Sequence, residues 1–91
     1  MHESALMTNL MRQISDLAAR EHARRVTRVF VRLGALSHIS PAHFAEHFKH
    51  ASGGSVAEGA QLEVTVSNDM QRADAQDIMI ESVELDTDPP S

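Results

Sequence analysis

Apolar side chains recur with helical spacing near the start of the chain. Over residues 4–22 the apolar positions fall at i, i+3, i+4 and i+7, which places them on one face of a helix. These positions are Leu6, Met7, Leu10, Met11, Ile14, Leu17 and Ala18. Ser4 suits the N-cap of this helix. Because Met7 and Met11 both belong to the apolar stripe, we interpret them as core residues rather than as a soft-metal site.

Three later segments alternate apolar and polar residues with period two, which is typical of half-buried strands. They cover residues 26–33, 61–67 and 78–85. In the first segment one face carries Val29, Val31 and Leu33, and the other carries Arg28, Phe30 and Arg32. In the second segment the predicted inward positions are Leu62, Val64 and Val66. The pattern therefore predicts three strands, each with one apolar face.

A second helix is predicted between the first two strands. Ser40 can cap it, and Pro41 fits the first helical position, where a missing N–H costs nothing. Phe44 and Phe48 share its apolar stripe, and Ser52-Gly53-Gly54 ends it.

The element order, αβαββ, predicts an α+β fold: a two-layer sandwich of a three-stranded sheet with both helices on one face. The short polar stretch 68–77 favours an antiparallel hairpin of the second and third strands, whereas the helix between the first and second permits a parallel crossover. We expect one domain over residues 1–85. The acidic, Pro-terminated tail 86–91 is expected to be disordered.

Composition narrows the function classes. The chain has 91 residues, a formal net charge of −5 and no Cys, so it offers no disulfides, no thiol nucleophile and no Cys-based zinc site. No apolar run approaches the ~20 residues that span a bilayer, and the first residues do not form a signal peptide, so we expect a cytoplasmic protein with no membrane contact. At this size a homodimer or another partner would add to a modest core.

The charged and imidazole side chains do not form a known catalytic motif, and we predict no enzymatic activity. His43, His47 and His50 lie on the polar face of the second helix, where a solvated surface is favoured over a secondary metal site. Residues 1–50 carry a net charge of +3 and residues 51–91 carry −8. Arg28 and Arg32 are therefore expected to pair with Glu63 and Glu81 rather than to bind nucleic acid.

The first residues offer metal-binding chemistry. A free amine at Met1, the amide nitrogen of His2 and the Nδ1 atom of His2 can close fused chelate rings around one ion. Such nitrogen donors lie in a plane, which suits Ni²⁺ or Cu²⁺. The amine and the imidazole must lose their protons, so binding strengthens with rising pH. Glu3, water, or a His or Cys of a partner could fill the fourth position.

Four blocks, in order, match the pattern of a known family. They are Met1-His2-Glu3, Val29-Phe30-Val31-Arg32-Leu33-Gly34-Ala35-Leu36-Ser37-His38-Ile39, Glu58-Gly59-Ala60-Gln61-Leu62-Glu63-Val64 and Ser82-Val83-Glu84-Leu85. On these blocks the chain resembles the HypA/HybF family of hydrogenase nickel-incorporation proteins. The resemblance implies an α/β domain whose N-terminal Met-His carries Ni²⁺, and a GTPase partner that helps to load the large subunit of [NiFe]-hydrogenase.

The chain departs from the family at one place. The family pattern has a zinc domain with two Cys-x-x-Cys pairs between the second and third strands, whereas this chain has Asn68–Asp77 there and no Cys. A nickel metallochaperone without zinc is therefore the first hypothesis. A metal-free accessory or regulatory module in hydrogenase maturation is the alternative, and a requirement for His2 distinguishes the two. A nucleic-acid binder that uses the Arg strand is a third, weaker hypothesis.

Overall fold

The computed structural model describes residues 3–71 and 77–87, and the side chains from Ala5 onward. Two helices and three strands follow one another as predicted from the sequence. They are α1 (Glu3–Arg20), β1 (Ala23–Leu33), α2 (Pro41–Ser52), β2 (Gln61–Val66) and β3 (Ile78–Thr87). The predicted α+β class and element order are confirmed, and β1 is three residues longer at its start than the alternation indicated.

The three strands form one sheet in the order β2-β1-β3. Strand β1 pairs with β2 in parallel and with β3 antiparallel. The parallel crossover through α2 is thus present, but the predicted β2–β3 hairpin is wrong. Strand β1 lies at the centre, and its inward side chains are the best buried of the sheet, with Val29, Val31 and Leu33 each at 0% exposure. Strands β2 and β3 are therefore not neighbours, because β1 lies between them.

Both helices cover the same face of the sheet, as the sequence predicted. The apolar stripe of α1, the two phenylalanines of α2 and the inward side of β1 belong to one cluster of buried residues. Its members are Met7, Leu10, Ile14, Ala18, Val26, Val29, Val31, Leu33, Phe44, Phe48 and Ala57. The two phenylalanine rings stack with centroids 6.4 Å apart. This cluster fixes both helices relative to the sheet.

Helix α2 begins and ends where the sequence predicted. The hydroxyl oxygen of Ser40 accepts a hydrogen bond of 3.1 Å from the backbone N–H of His43, and Pro41 occupies the first helical position. After Gly53, Gly54 adopts φ of +76°, a conformation that side chains with a Cβ avoid. The chain thereby leaves the helix within two residues.

The end of β3 corrects the predicted domain boundary. Asp86 and Thr87, expected in a disordered tail, are strand residues, and Asp86 lies 3.4 Å from the guanidinium of Arg24 and 3.6 Å from that of Arg25. Cross-strand charge pairing explains why an acidic residue continues the strand here. Residues 88–91 of that tail lie outside the described residues. Within the described part of the chain, no helix is long and apolar enough to cross a membrane.

Candidate metal centre

The predicted chelate comprises Met1, His2 and Glu3. Met1 and His2 lie outside the described residues, whereas Glu3 is the first residue of α1 and its side chain is not described. The metal-binding role of the three residues therefore stays a prediction. The structure does describe the helix that immediately follows them and the surfaces around its first turns.

The helix that follows the chelate is firmly held. Met7 and Leu10 are 5% and 3% exposed, and Ile14 is fully buried, so three successive turns of α1 pack onto the sheet and α2. These turns of α1 are consequently held against the rest of the domain.

A cavity of about 520 Å³ opens beside the first turns of α1. Its walls come from three elements and one loop, including Leu6 of α1, His38 and Ser40 of the loop after β1, His43 of α2 and Ile78 of β3. His38 is exposed and lines this cavity together with His43. The fold of the 34–40 loop brings His38 and His43 to one cavity. Their spacing in the sequence does not predict this.

The loop that carries His38 has a backbone feature of its own. His38 has φ of +60°, in the left-handed region that non-glycine residues seldom adopt. The loop is held at its start by a hydrogen bond of 3.0 Å from the N–H of Ser37 to the carbonyl of Gly34. Strain of this kind persists only where surrounding contacts fix the backbone, and it is common at functional sites.

The histidines of α2 lie on its polar face, as predicted, but they are not equivalent. The Nε2 atoms of His43 and His47 are 3.0 Å apart, and the two ring centroids are 4.6 Å apart. His50 instead lies 3.7 Å from the carboxylate of Glu46, one turn back on the same helix. Two imidazoles of the predicted three therefore form a close pair, and the third pairs with a carboxylate.

The outward face of β1 carries the predicted arginines beside Phe30. The guanidinium of Arg28 donates a hydrogen bond of 2.8 Å to Oε1 of Gln61 on β2 and lies 3.7 Å from Oε1 of Glu84 on β3. It also lies 5.9 Å from the centroid of the Phe30 ring, within the range of a cation–π contact. These contacts confirm cross-strand pairing of Arg28.

The prediction that Glu63 and Glu81 are the partners of these arginines is nevertheless wrong. Glu63 stands opposite Phe30 in the β1–β2 register, and Glu81 falls at a shift in the β1–β3 register, where Phe30 pairs with Ser82 and Val31 with Ile80. The shift displaces Glu81 and brings Glu84 opposite Arg28. A bulge of this kind leaves no clear mark on the sequence, so the partner could not be predicted by alternation alone.

The described residues contain no group of three or more His, Cys, Asp or Glu side chains placed to hold a metal ion. The close pair His43–His47 is a two-donor arrangement and falls below that number. A site with three or more protein donors would therefore have to include residues outside the described ranges.

The amino-acid sequence matches one protein family and several of its named members. Residues 1–74 match the family described as HypA, hydrogenase/urease nickel incorporation, metallochaperone. The chain is similar to the hydrogenase maturation factor HypA of Archaeoglobus fulgidus, with 39% identity over 81% of this chain and 64% of the relative. It is also similar to the HypA proteins of Dechloromonas aromatica (38%, over 70% and 57%) and Escherichia coli K12 (39%, over 68% and 53%).

The fold is similar to two solved structures. The solution structure of the Ni metallochaperone HypA from Helicobacter pylori aligns with a TM-score of 0.79 and 17% identity, over 97% of this chain and 100% of the other. A second solution structure of HypA aligns with a TM-score of 0.73 and 18% identity, over 93% and 96%. In sequence, the chain spans 53% to 64% of the length of the three curated relatives named above.

Proposed function

This chain belongs to the HypA family of nickel-incorporation metallochaperones, and from that premise we propose that it carries Ni²⁺ at its N-terminal Met1-His2. The nickel is cargo that passes to [NiFe]-hydrogenase during maturation. The family description is that of a metallochaperone rather than an enzyme, which agrees with the absence of catalytic motifs from the sequence.

The chelate follows from the chemistry of the first two residues. The amine of Met1, the deprotonated amide nitrogen of His2 and Nδ1 of His2 supply three nitrogen donors in one plane, a geometry that Ni²⁺ and Cu²⁺ accept. Glu3, water or a donor from a partner would occupy the fourth position. An open fourth position helps a carrier, because a recipient ligand can bind there before the chelate releases the ion.

One observation carries the proposal: the family match begins at residue 1 and continues through 74. It therefore includes Met1-His2-Glu3 together with α1, β1, α2 and β2, the elements that hold the start of α1 in place. The buried stripe of α1 supports the proposal further, since it holds the helix that follows Met1 and His2 against the domain. A cavity also opens beside Leu6 on this helix.

Delivery requires partners. The family resemblance implies two partners, a nickel-loading GTPase and the large subunit of [NiFe]-hydrogenase. A homodimer would in addition bury more apolar surface than the small core of one chain. The chain has no Cys and so cannot build a Cys-based zinc site. We therefore propose transfer that does not depend on zinc in this chain.

The test is a Ni²⁺ titration of the untagged chain beside His2→Ala and beside protein acetylated at its N-terminus. Intact mass first establishes that Met1 is present with a free amine. We expect one equivalent of Ni²⁺ in a planar, amide-coordinated form, with its characteristic visible absorption, which both modifications abolish. Binding should strengthen as pH rises, because the amine and the imidazole must be deprotonated.

His50→Ala is the matched control, since it removes an exposed imidazole that lies beside Glu46 on α2. It should leave the planar absorption unchanged. If His2→Ala or acetylated protein develops the same absorption as the free chain, the carrier site is not at the N-terminus. If none of these proteins, including the unmodified parent, binds nickel, the alternative function is favoured, namely a metal-free accessory module.

A further inference from the structure

The close pair of imidazoles on α2 is not among the three nitrogen donors of the proposed N-terminal chelate. His43 and His47 lie at i and i+4 of a capped helix, and their Nε2 atoms are 3.0 Å apart. We propose that this pair is a second divalent-metal site, separate from Met1-His2, that takes Ni²⁺ or Cu²⁺ through two Nε2 donors and completes its coordination with water.

The distance between the two nitrogens suits cis ligands of one ion. Two donors at about 2.1 Å from a metal lie about 3.0 Å apart when the angle at the metal is near 90°, and about 3.4 Å apart at the tetrahedral angle. The observed 3.0 Å therefore matches neighbouring positions of a square-planar or octahedral ion. Those geometries are typical of Cu²⁺ and Ni²⁺ bound by nitrogen and oxygen.

The helix holds the pair in this arrangement before any metal arrives. Ser40 caps α2, and Phe44 and Phe48, which alternate with the two histidines along the helix, are 0% and 3% exposed. The backbone that carries both imidazoles is thus anchored in the core by the residue that follows each histidine. Little conformational freedom would be lost on binding, which favours affinity in a site with only two protein donors.

The surroundings leave the ion accessible. His43 is exposed and His47 half-buried, and His43 also lines the cavity beside the first turns of α1. Water can therefore occupy the remaining coordination positions, and the ion can exchange with solvent. Such a site would be weaker than the proposed planar chelate, which has three protein nitrogens and two fused rings.

The experiment separates this site from the N-terminal one by working in the His2→Ala background. NiCl₂ is added to untagged His2→Ala protein, and the paramagnetic broadening of the histidine ring signals is followed by NMR. We expect the signals of His43 and His47 to broaden together and first. A second substitution in the His2→Ala protein, either His47→Ala or His43→Ala, should weaken Ni²⁺ binding at the helix pair by about 100-fold, because one of two linked donors is lost.

His50→Ala in the same background is the control and should leave the broadening of His43 and His47 unchanged. Circular dichroism checks that each variant keeps its helices. The proposal is overturned if His47→Ala titrates like its parent, or if His2→Ala alone abolishes all nickel binding. In that last case the N-terminal carrier site still stands. If His47→Ala removes nickel while His2→Ala does not, the N-terminal site fails and the helix pair stands.

Discussion

Val66 and Ile78 pair with the same residue, Leu33, from opposite sides of the sheet. Val66 ends β2 and Ile78 begins β3, so the ends of the connecting segment 67–77 lie two strand spacings apart, roughly 10 Å. The N–H of Ser67 donates to the carbonyl of Leu33 at 2.9 Å, and the N–H of Gly34 donates to the carbonyl of Asp77 at 2.8 Å. The two ends are thus fixed independently of what lies between them.

A longer segment at this place should therefore be tolerated. Inserting ten Gly and Ser residues between the exposed Met70 and Gln71 is expected to lower the free energy of unfolding by about 1 kcal/mol or less, because each doubling of a loop costs only about 0.6 kcal/mol. Urea denaturation of the parent and the insertion variant measures the difference. A loss of several kcal/mol would mean that residues of this segment pack on the domain.

The fold is predictable from the sequence wherever one face of an element is apolar. The inward positions Val29, Val31 and Leu33 and the helix stripes follow from periodicity alone, because each element must bury that face. Strand order does not follow from periodicity, since β2 and β3 each have an apolar face that would suit either neighbour. Val66, predicted inward, is 47% exposed because it lies at the end of an edge strand.

The candidate site was less predictable than the fold. Its proposed chelate was found from the chemistry of two adjacent residues, which needs no tertiary structure. The approach of His43 to His47 could be anticipated from i, i+4 spacing, but their 3.0 Å separation depends on side-chain rotamers. The cavity that unites His38 with His43 depends on a left-handed residue at 38, which no local pattern indicates.

Phe48→Ala should strongly destabilise the domain through α2. Phe48 is 3% exposed and stacks on Phe44, so truncation leaves a cavity and is expected to cost about 3–5 kcal/mol. Thermal and urea denaturation measure the loss, with His50→Ala on the exposed face as control. A cost below 1 kcal/mol for Phe48→Ala would show that the core closes around the gap.

Ser40→Ala should destabilise α2 through its first turn. The hydroxyl accepts the N–H of His43 at 3.1 Å, and loss of such a cap costs about 1 kcal/mol. Ser40→Asp offers an equivalent acceptor and should restore most of the stability. Equal stability of Ser40→Ala and the parent in urea would indicate that water replaces the cap at no cost.

We expect the arginines on the outward face of β1 to form ion pairs across the sheet and not to bind nucleic acid. Arg28 and Glu84 are 39% and 57% exposed in their side chains, so Arg28→Ala is expected to cost no more than about 1 kcal/mol, and less at high salt. The net charge of −5 opposes attraction to phosphates. Tight RNA or DNA binding, with an affinity that falls steeply with salt, would contradict this interpretation.

Metal should contribute to function and not to folding. The chain has no Cys, and the core cluster within the described residues consists of eleven buried apolar side chains. A structural zinc site would make folding depend on the ion, because such sites rarely exist in the unfolded chain. Thermal melts with and without EDTA should therefore coincide, for the parent and for His2→Ala alike. Added Ni²⁺ should shift the melting temperature of the parent little through the N-terminal chelate, because its two adjacent residues can bind the ion in the unfolded chain as well. A melting temperature that falls markedly in EDTA, or in His2→Ala without added nickel, would make the metal structural, and the carrier function would then have to be abandoned.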